Sequence, residues 1–353
     1  MKKNPDTTHT PRDRPSVIGT NEAGLRRFCH EHGFKEFHGS QVFNWVYGHG
    51  AERFEEMTDV PTALREILAS SFVLSPLHLQ DRLVSKTKDA VKYRFSLSDG
   101  LSIESVALEN PGNRPSFCIS SQVGCPVGCL FCATADMGFK RNLTPGEIVS
   151  QVLALSKLHT RPRSILFMGM GEPLLNMENL TDSLELFNEI DLSCKRITVS
   201  TCGVVPGIIR LADSGVRPRL AVSLGSADGK RREKLIPLAA QWSLERLGRA
   251  IAYYREKTKR RVSIEYTLVR GINDFAAAAL ALARFAGRYQ CHVNLIRYNR
   301  VDAYHYRPPE TRAVVKFKSL LQEKGIVVSE RYRKGADIQA ACGQLVISKS
   351  KRS

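Results

Sequence analysis

The chain has 353 residues, enough for one large domain and an accessory one, and its apolar fraction of 42% is ordinary for a protein that folds in water. It contains no run of about 18 uncharged apolar residues, and the polar start MKKNPDTTHTPRDRPS has no apolar stretch behind it, so neither a transmembrane helix nor a secretory signal is expected. Its 52 Lys and Arg against 35 Asp and Glu leave a net charge of +17, which steers polyanions in from a distance and makes nucleic acid the first partner to consider.

In chain order, residues 1–20 read as a flexible polar tail. From 21 to about 75 apolar residues recur at steps of three and four in GLRRFCHEHGF, SQVFNWVY and VPTALREILASSF, which predicts a module of small helices. Between about 78 and 108 the pattern becomes alternating, as in AVKYRFSLSDGLSIESVAL. That predicts a strand pair turning at Asp99-Gly100 and joining the module, 21–98, to the main domain, 99–310. In the main domain, short apolar runs (SILFMGM, RITVST, RLAVSLG, RVSIEYTLV, CHVNLIRY) alternate with helical stretches such as GEIVSQVLALSKL. This is the rhythm of parallel strands and crossover helices. The predicted fold is α/β, a closed or nearly closed (β/α) barrel whose chemistry sits at the C-terminal strand ends. Residues 311–353 read as an extension: a helix, a strand, a loop carrying Cys342 and a basic tail.

Nine cysteines, an odd number without a secretory signal, argue for a reducing, cytoplasmic setting and for metal or redox chemistry rather than disulfide staples. Three of them form Cys125-Pro-Val-Gly-Cys129-Leu-Phe-Cys132. Three thiolates on a tight loop can hold three irons of a 4Fe-4S cluster and leave the fourth iron open to a small molecule. A structural zinc needs a fourth protein ligand, and neither His30 nor His292 lies at finger spacing, although a zinc-stabilised RNA-binding protein stays open on these residues alone. A second element, Gly169-Met-Gly171-Glu172-Pro173, follows the strand SILFM. There a glycine turn lets backbone approach a ligand and Glu172 can accept from an ammonium.

The cysteine spacing resembles that of the radical S-adenosylmethionine (SAM) superfamily. The segments from Phe117 to Cys125, from Phe167 to Asn176, from Ser200 to Pro206 and from Asp337 to Leu345 resemble the RlmN/Cfr family of RNA adenine methyltransferases, over nearly the whole chain. The resemblance implies a radical SAM partial barrel, one 4Fe-4S cluster on Cys125, Cys129 and Cys132, and two SAM molecules consumed per methylation. It also implies ribosomal or transfer RNA as substrate and an electron donor such as a flavodoxin or ferredoxin system. In such a relay Cys342 takes a methyl from one SAM, and a radical made from a second SAM abstracts hydrogen from it. The resulting carbon adds to carbon 2 or carbon 8 of an adenine. Glu104 then takes the ring proton, and Cys118 attacks the sulfur in a transient disulfide that frees the product.

The SAM contacts implied are Gly171, Glu172, Ser200, Ser223, Leu224, Gly225 and Asn299. Gly225 departs from the family's usual histidine and leaves only a backbone contact. Arg297 stands where the carbon-2 branch tends to have proline and the carbon-8 branch arginine, whereas GMGEPLLN and STCGVVP resemble the carbon-2 branch. The helical module, Lys140-Arg141 and the tail residues Lys349, Lys351 and Arg352 are candidates for RNA contact, Cys29, Cys194, Cys202 and Cys291 are read as structural, and a radical enzyme acting on a substrate other than RNA is the alternative within the superfamily.

Overall fold

The computed structural model describes residues 14–346 except 111, 302–303 and 332; the tail candidates Lys349, Lys351 and Arg352 lie outside the described residues. The N-terminal module holds α1 (Glu22–Glu31), α2 (Phe37–Phe43) and α3 (Thr62–Ser71). Asn21 caps α1 by accepting from the Gly24 N–H, and α2 runs on into a π-helical turn, Asn44–His49. Leu25, Val42, Met57, Leu64 and Leu68 are fully buried in one apolar cluster continuous with the core of the main domain.

Four antiparallel strands follow: β1 (Leu77–Val84), β2 (Ala90–Leu97), β3 (Ser102–Asn110) and β4 (Asn113–Cys118). The strand pair expected here is thus a larger antiparallel array. β1 escapes the alternation test because every side chain after Leu77 is exposed, so neither face is selected as apolar. The boundary drawn at 98/99 falls on the hairpin turn between two strands of a single sheet.

Next come β5 (Gln122–Gly124), α4 (Ala133–Asp136) and β6 (Phe139–Asn142), with β5 and β6 forming a small antiparallel sheet of their own. The chain then alternates through α5 (Pro145–Leu158), β7 (Ser164–Phe167), α6 (Met177–Glu189), β8 (Ile197–Thr201), α7 (Val205–Asp213), β9 (Arg219–Ser223), α8 (Gly229–Leu235), α9 (Leu244–Thr258), β10 (Val262–Leu268), α10 (Ala276–Arg288), β11 (His292–Arg297), α11 (Thr311–Glu323) and β12 (Val328–Glu330). Helix starts follow local chemistry: Thr144 and Glu147 form a capping box at α5 with Pro145 in its first turn, and Ser243 caps α9.

The main sheet has ten strands in the order β1-β2-β3-β4-β7-β8-β9-β10-β11-β12, and every pair from β4 onward is parallel. The ends β1 and β12 do not pair, so the barrel is open. Residues 334–346 run from the β12 end back to the β2–β3 end. Lys334 Nζ donates to the Glu109 carbonyl and to Asn110 Oδ1, while Asp337 accepts from Ser85 Oγ (2.9 Å) and from the Lys86 N–H (2.8 Å). Among the described residues no helix is long and apolar enough to cross a membrane.

Candidate active site

The cysteine loop is held at both ends. The Cys125 N–H donates to the Gly138 carbonyl across the β5–β6 pair, and Cys132 occupies the N-cap position of α4. In between, the Leu130 N–H donates to the Leu235 carbonyl at the end of α8. All three thiols line one cavity at the C-terminal ends of the parallel strands. Burial is the main reason that all three thiols lie above their usual range, with Cys125 pushed up to about 12; Cys132 raises Cys125 and Cys129 further, and Cys125 adds to the rise at Cys129.

Opposite the loop, Gly171, Glu172, Ser200, Ser223 and Asn299 line the same cavity. Gly171 has φ +101°, and a Cβ there would lie 2.5 Å from the Cβ of Gln122, so only glycine fits. Glu172 is buried and raised by that burial. Its two oxygens accept from the Leu174 N–H (3.1 Å) and the Cys202 N–H (2.7 Å), with further side-chain bonding from Thr201 and Cys202. Cys202, expected to be purely structural, lines the cavity too. Asn299 donates from Nδ2 to the Cys342 carbonyl at 3.0 Å, while its Oδ1 is buried without a hydrogen-bond partner.

Cys342 lines this cavity and a second one, whose lining includes Cys118, Met168, Asn299, Arg331 and Arg333. Cys118 ends β4 and is buried, which pushes its thiol up to about 12; Cys342 raises it further and Arg331 pulls it down. Cys342 presents its surface to cavity space, and its crowded surroundings raise its thiol as well, with Arg331 opposing. Arg331 is anchored on Glu265 of β10, Nε to Oε2 at 3.1 Å, and Glu265 forms part of the first cavity. The two cavities therefore share Met168, Ile296, Asn299 and Cys342 as a common wall.

Residues 119–282 match the radical SAM superfamily model, and residues 16–74 match that of the ribosomal RNA large subunit methyltransferase N-terminal domain. The probable dual-specificity RNA methyltransferase RlmN of Thermotoga neapolitana is 42% identical over 89% of this chain and 92% of its own length. The chain belongs to the RlmN family. Its counterpart of the same name in Flavobacterium johnsoniae is 40% identical over 94% of this chain and 97% of the relative. A solved radical SAM methyltransferase from Sphaerobacter thermophilus superposes with a TM-score of 0.90 at 37% identity, over 94% of this chain and 99% of that one. This is accordingly a SAM-dependent methyltransferase of the radical SAM superfamily.

That membership implies a 4Fe-4S cluster and SAM, and the RlmN-type site here suits both. The three thiols share a cavity, yet no group of three His, Cys, Asp or Glu among the described residues could hold a single metal ion. A cluster asks for that arrangement, since each thiolate binds its own iron, whereas structural zinc needs ligands converging on one point. For SAM, the unpartnered Asn299 Oδ1 stands ready at the wall.

Several expected site residues fall elsewhere. Leu224 and Gly225 lie outside the lining of this cavity. The Leu224 carbonyl accepts from buried Arg232, whose other nitrogen donates to the Cys202 carbonyl. The Gly225 carbonyl accepts from Asn273 Nδ2 at 2.8 Å. Gly225 has φ +68°, and a Cβ would press on Ile236 at 3.0 Å, so glycine fits this turn without a side chain facing the cavity. Glu104 lines neither cavity. Arg141 is engaged by Asp99 (2.6 Å) and Glu147 (2.8 Å), so it braces the β5–β6 pair and is not a free cation. Arg297 pairs with Glu330 (2.7 Å) and donates to Thr311, and it lines neither cavity.

Proposed function

We propose that this RlmN-family enzyme methylates an adenine ring carbon of ribosomal or transfer RNA, carbon 2 in preference to carbon 8, by carrying the methyl group on Cys342. The observation that supports this reading is the wall common to the two cavities: Cys342 borders the cluster thiols on one side and Cys118 on the other. The preference for carbon 2 rests on GMGEPLLN and STCGVVP, and the one opposing residue, Arg297, is directed at β12 and α11.

When bound through Cys125, Cys129 and Cys132, the cluster would supply, together with SAM, the methyl group and the hydrogen-abstracting chemistry that an unreactive ring carbon demands. The chain's own residues do the rest. Gly171, Glu172, Ser200, Ser223 and Asn299 would hold and orient SAM by backbone and polar contacts. Cys342 would accept the methyl as a thiolate, favoured by Arg331. Glu104 would take the ring proton and Cys118 would resolve the thioether link by forming a disulfide with Cys342. A flavodoxin or ferredoxin system would deliver the electron, and nine unpaired thiols suit a reducing cytoplasm. RNA would approach over the basic cleft formed by Arg297, Lys318, Arg331 and Arg333, which adjoins the Cys118 cavity through Arg331 and Arg333.

Two measurements test this. Anaerobically reconstituted protein should carry about four irons and four sulfides per chain, and Cys129→Ala should lose most of that iron. One zinc per chain with no iron would overturn the cluster assignment. Incubation of the loaded enzyme with ribosomal and transfer RNA, followed by nucleoside mass spectrometry, should yield 2-methyladenosine. Finding 8-methyladenosine corrects the carbon, and finding no methyladenosine rejects the RNA reading.

A further inference from the structure

Two buried opposite charges sit behind the Cys342 loop, outside both cavities. Lys92 on β2 and Glu104 on β3 are 6% and 4% exposed, and Lys92 Nζ lies 3.0 Å from Glu104 Oε1. They are diagonal neighbours across the hairpin, since Glu104 stands opposite Arg94 and Lys92 opposite Val106. Each also grips one shoulder of the loop. Lys92 Nζ donates to the Gln339 carbonyl at 3.4 Å, and the Val346 N–H donates to Glu104 Oε2 at 3.0 Å. Cys342 lies in the short arc between those two contacts. An ion pair this deep in a core adds little that an apolar pair would not, so packing alone does not call for it.

We propose that Lys92 is a positioning residue for methyl transfer: its ammonium keeps the Glu104 carboxylate ionised and fixed beside the Cys342 loop, ready to receive the proton leaving the substituted adenine carbon. This rests on the relay proposed above. In that step the ring C–H bond breaks, its proton goes to a Glu104 oxygen and its electron pair stays on the ring. Lys92 keeps all its protons and exchanges no electrons. The groups facing the carboxylate set the sign. Burial pushes Glu104 above the usual carboxylate range, while Lys92, the Val346 N–H and Arg94 pull it back. Without Lys92 the burial effect is largely unopposed, and the base is protonated, hence idle, until the pH is raised.

The test is the pH dependence of single-turnover methylation between about pH 6 and 9. Lys92→Met should move the acid limb upward by about one unit, roughly a tenfold loss at low pH that closes as pH rises, and Lys92→Arg should restore the wild-type profile. Glu104→Gln should be slow at every pH. A Lys92→Met profile parallel to the wild type, at any height, overturns the proposal. If the wild type itself leaves RNA unmethylated, the functional reading fails instead, and infrared difference spectra then decide the pair without turnover. A protonated-carboxyl band should appear at neutral pH in Lys92→Met and be missing from both the wild type and the Lys92→Met, Glu104→Gln double variant. Its absence from Lys92→Met overturns the proposal as well.

Discussion

Exchanging Cys342 for alanine should abolish methyl transfer to RNA, lowering it by at least about 10⁴-fold, the scale of loss when a covalent catalyst is removed. The fold should not change, because the loop is held by its main chain. The Cys342 carbonyl accepts from Asn299 Nδ2 and the Gly343 carbonyl from the Ala133 N–H at 2.7 Å, contacts that alanine keeps. The thiol faces cavity space, so its removal opens no void in the core, and stability should stay within about 0.5 kcal/mol. Isotope from methyl-labelled SAM should enter neither the protein nor the RNA, while iron content matches the wild type. Undiminished RNA labelling would sink the relay and favour a different acceptor chemistry.

Cys118→Ala should give the opposite signature, in which the methyl-bearing carbon reaches the RNA but cannot leave the protein. An RNA–protein conjugate stable to denaturation should accumulate toward one RNA per chain, and nuclease digestion followed by peptide mass spectrometry should place the modified nucleotide on Cys342. Free methylated RNA at the wild-type rate would rule out Cys118 as the resolving thiol. In the wild type the same step has a calculable pH sense. Burial raises the Cys118 thiol to about 12, so at neutral pH the attacking thiolate is scarce. Its fraction, and with it the rate of release, should climb about tenfold per pH unit until another step limits.

Much of this site is legible in the sequence because its chemistry is written in local patterns. The thiol spacing at 125–132, the glycines before Glu172 and the polar residues ending β8 and β9 each sit in a short motif, and the fold gathers them into one cavity. The parallel strands were legible for a related reason: helices cover them, so ILF in β7 and LAV in β9 read as short continuous apolar runs.

What escaped were partnerships between distant residues. Glu265 is a lone carboxylate in an apolar strand and is intelligible only beside Arg331, and Lys92 only beside Glu104. Arg141 looked like a free cation because the carboxylates that hold it, Asp99 and Glu147, come from two other elements. Leu224 and Gly225 follow the strand-end serine but turn behind the cavity, since the buried guanidinium of Arg232 holds the Leu224 carbonyl there. A linear motif does not record which way a backbone turns after its last polar residue.

The segment at 334–346 has a consequence for how the molecule is made. It is synthesised more than 200 residues after the hairpin it grips, as in the contact between Asp337 and Ser85. Such a pairing waits on closure of a very long loop, so it is slow to form relative to the local helices and hairpins. The cysteine loop and the strands around it can therefore be assembled on a growing chain while the side of the cavity bordered by Cys342 and Gly343 is still missing. Assembly order alone would leave the face lined by Cys125, Cys129 and Cys132 open to delivery of iron and sulfide until the last segment docks, and would bring Cys342 to that cavity only in the finished protein.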